Sequence, residues 1–227
     1  QSEPAVASDG STALVTWRDQ RLAVAGPGDI YAARVLSTGA VMDGLPATGG
    51  LQIRADAYLQ ASPSVAWGGA NFLVAWQDKR DDAGTESGGD TGIYANRVRP
   101  SDGTLVDGPP ATGGIEVSVS ANTQLSPSVA FGNGKYFVVW KDHRVGRFWD
   151  IWGLRVDAQS GAVLDPSGIA LCTQSPDQDR PAVASDGAGF LVAWSDYRTS
   201  GVGEVYGARV DGATGALLDG PATACGF

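Results

Sequence analysis

Four tryptophans in this 227-residue sequence are each followed, two and four positions on, by an aspartate and an arginine. The sets are Trp17, Asp19 and Arg21; Trp76, Asp78 and Arg80; Trp140, Asp142 and Arg144; and Trp194, Asp196 and Arg198. In an extended chain residues i, i+2 and i+4 share one side. A carboxylate beside a guanidinium makes a strong charge-assisted pair, and a buried tryptophan removes about 150–250 Å² of surface from water. Two chemistries are open to such a set: a structural clamp that ties down the loop after the strand, or a multivalent lectin site in which an aromatic face, an acid and a base meet a sugar. Repetition of the whole set in every copy favours the clamp.

Residues that differ between copies are better candidates for a unique site. Between Asp and Arg stand Gln20, Lys79, His143 and Tyr197. The third copy adds Arg147, Phe148 and Trp149 in the short stretch VGRFWDIW. An exposed aromatic pair beside an arginine suggests a contact surface. We therefore expect Lys79, His143, Arg147, Phe148, Trp149 and Tyr197 to bind a carbohydrate or protein ligand. The loop RDDAGTESGGDTG carries Asp81, Asp82, Glu86 and Asp90, oxygen donors suited to calcium. Their irregular spacing reads more simply as a solvated loop, so an ion is expected, if anywhere, in loop 81–92 or in a central channel.

Catalytic signatures are sparse. No G-x-S-x-G elbow is present, and any Ser-His-Asp set would need the single histidine, His143. Two rim carboxylates about 5–9 Å apart would suffice for glycoside cleavage. SDGSTALVTW resembles a sialidase Asp box, but its tryptophan falls too late, so it reads as a hairpin turn. Cys172 and Cys225 with one histidine make a zinc site improbable. They fall near equivalent places in two neighbouring units, where Cα atoms are usually too far apart for a disulfide, so the pair is expected to be unbonded unless the C-terminal tail bends to reach.

The elements that position these residues repeat. Pro4, Pro63, Pro127 and Pro181 each open a P-[AS]-V-A phrase, and each repeat tryptophan follows its proline by 13 residues. A phrase like DIYAARV comes next, centred on Arg34, Arg97, Arg155 and Arg209. A turn then leads to Asp43, Asp107, Asp165 and Asp219, and a weaker apolar run comes after it. Alternating or wholly apolar runs between Gly, Asn, Asp and Ser clusters read as strands. No segment sustains a helical period. The expected fold is all-β: a four-bladed β-propeller with four antiparallel strands per blade, as one domain over 1–227 with blades about 1–60, 61–124, 125–178 and 179–227. A sheet apolar on both faces must be sandwiched between neighbours, so blade one is expected to pack on blade four by side chains alone, unless the chain supplies four blades of a larger ring.

Naming the strands of each unit A to D, length variation concentrates in the B–C and D–A loops. These share one rim, which is where recognition is expected. The net charge of −9 disfavours nucleic acid. No run of about 18 apolar residues implies membrane insertion. Composition suggests a protein that is secreted or on a cell surface.

The pattern P-[AS]-V-A…F-L-V-A-W-x-D-x-R…D-I-Y-G-A-R-V…G-x-L-L-D resembles repeats of large bacterial, notably myxobacterial, extracellular proteins, from Pro4 to Asp219. The resemblance implies an exported propeller module and carries no established active site. The function expected at this point is a non-catalytic binding or adhesion module that uses the variable rim. The alternatives are a structural repeat that assembles into larger surface structures and a polysaccharide-acting enzyme.

Overall fold

The computed structural model describes residues 1–21, 28–44, 49–80, 90–199 and 201–227. Blade one comprises β1 (Ser2–Ser8), β2 (Thr12–Asp19), β3 (Asp29–Leu36) and β4 (Leu51–Arg54). Blade two comprises β5 (Gln60–Trp67), β6 (Phe72–Asp78), β7 (Gly92–Val98) and β8 (Ile115–Ser118). Blade three comprises β9 (Gln124–Gly132), β10 (Lys135–Asp142), β11 (Asp150–Asp157) and β12 (Ile169–Cys172). Blade four holds β13 (Gln178–Ser185), β14 (Gly189–Asp196) and β15 (Glu204–Asp211). Each sheet is antiparallel and in chain order, and no described residue is helical.

Blade four departs from the expected four strands. After Asp219 the chain makes turns, with Ala224 and Cys225 both donating to the Pro221 carbonyl. Only Phe227 then pairs with β15, through two bonds to Gly207 of 2.9 and 3.0 Å. The turns carry Cys225 back to β12, where it forms a disulfide with Cys172 at a Cα separation of 4.6 Å. The expected unbonded pair is thus corrected: Cys225 lies in a folded-back tail and not in a fourth strand.

The opening prolines sit at bulges. The residue before each proline is left-handed: Glu3, Ser62, Ser126 and Arg180, with φ of 53–57°. The strand pairing slips by one residue around each of them. A proline, which has no amide hydrogen to give, is tolerated in a strand at such a bulge. The opening strands lie side by side, β1 with β5, β5 with β9 and β9 with β13. Their small residues permit cross-blade bonds. Val129 donates to Ser64 Oγ (3.2 Å), and Val183 donates to Ser128 Oγ (3.3 Å).

Three apolar cores join successive blades. Phe72, Val74 and Trp76 of β6 pack with Leu14, Ile30 and Ala32 of blade one. Leu73 and Ala75, on the other face of β6, pack with Tyr136, Val138 and Trp140 of blade three. Phe137, Val139 and Ile151 in turn meet Phe190, Val192 and Trp194 of blade four. The tryptophan of each later blade therefore faces the preceding blade. The expected packing of blade one on blade four is not found among the described residues: Trp17 clusters with Val15, Tyr31 and Ala33 of its own blade alone.

Candidate functional site

The repeated Trp-Asp-Arg set is consumed internally. Trp17, Trp76, Trp140 and Trp194 donate their indole Nε1–H to Asp19, Asp78, Asp142 and Asp196 at 2.7–3.3 Å. The following arginines pair with those same carboxylates. Each guanidinium also lies over a ring of the next strand: Tyr31, Tyr94, Trp152 and Tyr206, at 3.6–4.7 Å. Burial works to raise the Asp19 and Asp196 pKa values, but the bonds from arginine and tryptophan override it and hold both low. The strand C arginines take no part. They bind Asp43, Asp107, Asp165 and Asp219 beside the C–D turns. In blades two to four the tryptophan is buried between blades, whereas Trp17 of blade one borders an open apolar cleft.

Four glutamines, each three residues before an opening proline, have a role that the motif reading missed. Gln60, Gln124 and Gln178 are fully buried. Their backbone amides donate to Gly28, Thr91 and Trp149, at the end of the previous blade's B–C loop. The Gln124 side chain donates to the carbonyls of Ser120, Ala121 and Asn122. The Gln178 side chain donates to those of Gln174 and Pro176. Gln1 reaches Asp19 at 3.0 Å. The signal was in the sequence as an invariant Gln-x-x-Pro.

Among the variable residues, Trp149 and Tyr197 converge on Asp177. Trp149 donates its amide to Asp177 Oδ1 at 3.0 Å, and Tyr197 donates its amide to the Asp177 carbonyl at 3.2 Å. His143 packs its ring on Trp149 at 4.8 Å, and Lys141 Nζ lies 4.7 Å over the same indole while bridging to Asp179. Trp149 and Phe148 are half-buried, and exposed Arg147 sits 5.1 Å over Phe148. Lys79 is anchored by its amide to the Leu59 carbonyl on blade two, away from this group.

Beside this shelf lies Asp150, 6% exposed. It is the cross-strand partner of Asp142 at the end of β10–β11, a relation that sets Cβ atoms about 4.5–5.5 Å apart. Burial pushes its carboxyl up to about 6, and the charges of Asp142 and Asp177 add to the shift against Arg144 and His143. No side chain or amide among the described residues hydrogen-bonds it in compensation. The same position is Asp29 in blade one, Gly92 in blade two and Glu204 in blade four. Burial raises Asp29 as well, opposed by a bond from the Asp56 amide. Among the described residues, blade three joins a raised carboxyl to a second acid and an aromatic shelf.

The calcium expectation falls mostly outside the described residues, which exclude Asp81, Asp82 and Glu86; Asp90 is exposed. Along the opening strands the charges are mixed and paired, Arg18 with Glu3 and Lys141 with Asp179. Among the described residues only Cys172, Asp196 and Cys225 form a cluster of metal-ligating type, and the disulfide removes both thiolates.

No protein-family profile matches the sequence, and no curated protein does. Solved structures share the fold. A neuraminidase-like protein from A/bat/Guatemala/164/2009 aligns with a TM-score of 0.58 at 12% identity, over 93% of this chain and 52% of that one. An endo-arabinase from Bacteroides thetaiotaomicron VPI-5482 aligns at 0.56 and 12%, over 96% and 79%. An α-L-arabinofuranosidase from Lactobacillus brevis aligns at 0.52 and 13%, over 96% and 74%. Against two longer chains of this kind, this chain spans only 40–42% of their length. At these identities the likeness defines a class, the all-β propeller-type blade array, and no activity. It does correct the expected non-catalytic binding or adhesion module. The arrangement of blades is shared with glycoside-cleaving enzymes, so it supplies no ground for a purely adhesive reading.

Proposed function

We propose that this propeller array acts on polysaccharide, cleaving glycosidic bonds at the rim of blade three. The observation that carries the reading is Asp150, a carboxyl pushed up to about 6 beside the half-buried Asp177. A glycosidase needs one carboxyl that keeps its proton near neutrality and a second that is ionised. Asp150 is the general acid that protonates the leaving oxygen. Asp177, held by the Trp149 amide, is the second carboxylate, the base that takes a proton from the water whose oxygen bonds to the anomeric carbon as the leaving oxygen departs. Half-buried Trp149, with the His143 ring packed on it, and half-buried Phe148 offer apolar contact to the C–H side of a sugar ring. Endo-arabinase and α-L-arabinofuranosidase among the structures of like fold make arabinose-containing polysaccharides the first substrates to try. The Cys172–Cys225 disulfide supports an exported setting, since such bonds persist where thiols are oxidised.

The test is reducing-end release from arabinan, arabinoxylan and xyloglucan by the parent and by Asp150→Asn and Asp177→Asn. Release by the parent, reduced at least 100-fold in each variant, is expected. No release from any of these, or full activity in both variants, removes the reading.

A further inference from the structure

Four times in this molecule a guanidinium lies over an aromatic ring and is completed by an aspartate. Arg21 over Tyr31, Arg80 over Tyr94, Arg144 over Trp152 and Arg198 over Tyr206 each also hold the carboxylate two residues earlier. Arg147 makes a fifth such stack, 5.1 Å over the Phe148 ring, but without the acid. Every other arginine of the chain has a carboxylate oxygen at 3.8 Å or less. Arg147 has none among the described residues, and none of them takes a hydrogen bond from its guanidinium.

The loop that carries Arg147 is held on both sides of it. The His143 amide donates to the Thr123 carbonyl (2.9 Å), and the Gly146 amide closes a turn onto the His143 carbonyl (2.7 Å). Gly146 has a φ of 73°, a left-handed conformation that glycine adopts without strain. Asn122, from the neighbouring D–A loop, donates to the Arg144 carbonyl (3.3 Å). Beyond Arg147 the Trp149 amide is fixed on Asp177. The turn therefore presents an exposed guanidinium in the same loop as Trp149 and next to the strand that begins at Asp150. Stacking fixes the guanidinium plane and leaves its fork of N–H donors at the edge. The corresponding stretch of blade four, residues 199–203, has no basic residue.

The net charge of −9 repels an anionic polymer at long range. A cation that selects such a polymer must then act at short range, where a guanidinium fork matches a planar carboxylate with two parallel hydrogen bonds. We infer that the polysaccharide taken by this rim carries uronic acid, and that Arg147 binds the sugar carboxylate as the clamp arginines bind their aspartates. The inference rests on the glycan-cleaving reading of the same rim and names the substrate class for it.

Isothermal titration separates recognition from cleavage. The parent and Asp150→Asn are each titrated with an arabinoxylan oligosaccharide bearing glucuronic acid, and with the same oligosaccharide after its carboxyl is reduced to an alcohol. The uronate form should bind about fivefold tighter, by a margin that shrinks as salt is raised. Arg147→Gln should bind the two forms alike, and Arg147→Lys should keep only part of the margin. Arg147 is exposed, and circular dichroism reports that each variant still folds. Equal affinity for the two forms, no binding of the uronate form, or a margin that persists in Arg147→Gln overturns the inference. A parent that shows the margin but cleaves no glycan would support it while removing the cleavage reading.

Discussion

Arg97 Nη1 of blade two donates to the Gln159 carbonyl of blade three at 2.6 Å, while its other guanidinium nitrogens hold Asp107. The Arg97 and Asp107 side chains are almost wholly buried, so a buried ion pair of blade two carries the bond to the backbone of blade three. Arg97→Ala leaves the Asp107 carboxylate uncompensated and should cost about 3–5 kcal/mol. The exposed Arg99–Asp102 pair two residues on is the control. Arg99→Ala should cost less than about 1 kcal/mol. Urea unfolding of the two variants checks the contrast, and equal costs would deny the clamp its role.

Asp150 should be worth more to chemistry than to stability. Its folded pKa of about 6 lies above the ordinary carboxylate value of 3.8. Between those values the folded state binds more protons than the unfolded chain, so this group's contribution to stability falls as pH rises from about 4 to 6. Two units correspond to about 3 kcal/mol at most. Asp150→Asn removes the charge and should raise stability at pH 7 by about 1–3 kcal/mol while cutting cleavage at least 100-fold. Calorimetry at pH 4 and pH 7 measures the difference between parent and variant, which should vanish at the lower pH.

The disulfide closes a segment spanning 53 residues between blade three and the tail of blade four. A loop of that size implies a stabilisation of about 4 kcal/mol from restriction of the unfolded chain. Cys172→Ser with Cys225→Ser should lower the unfolding midpoint accordingly. It should also release the Phe227–Gly207 pairing first, seen as early amide exchange at Gly207. Unchanged exchange there would show that the tail holds without the bond.

Gln124 donates its side-chain amide to three carbonyls of the turn that leads into blade three. Gln124→Ala removes these part-buried bonds, at a cost of about 1–3 kcal/mol. Amide exchange should rise at Gln124, whose own bond to Thr91 depends on the turn. Glu at this position should fare worse, because a carboxylate cannot donate. Thermal melts of both variants decide.

The blade pattern was legible because a strand's two-residue period and the fixed proline-to-tryptophan spacing are local properties, and both are written four times. The Trp-Asp-Arg clamp was legible for the same reason. The missing fourth strand of blade four was not. PATACGF has the composition of its counterparts, and only the turn at Pro221 and the pull of Cys172 bring it back. Nor was the exposure of Leu191 and Val205, which look as apolar as the buried Leu14 and Ile30, because exposure is decided by whether another sheet lies against them. Asp150 and Asp177 were hidden among 25 acidic residues. No spacing marks them, since their relation arises where a B–C loop and a D–A loop meet.

The dependence of arabinan cleavage on pH tests the central claim most directly. If Asp150 gives its proton to the leaving oxygen, kcat/KM should fall tenfold per pH unit above a limb near pH 6, and the limb should be absent from the residual activity of Asp150→Asn. A rate that stays level from pH 6 to 8, or a limb that survives the substitution, would contradict the account.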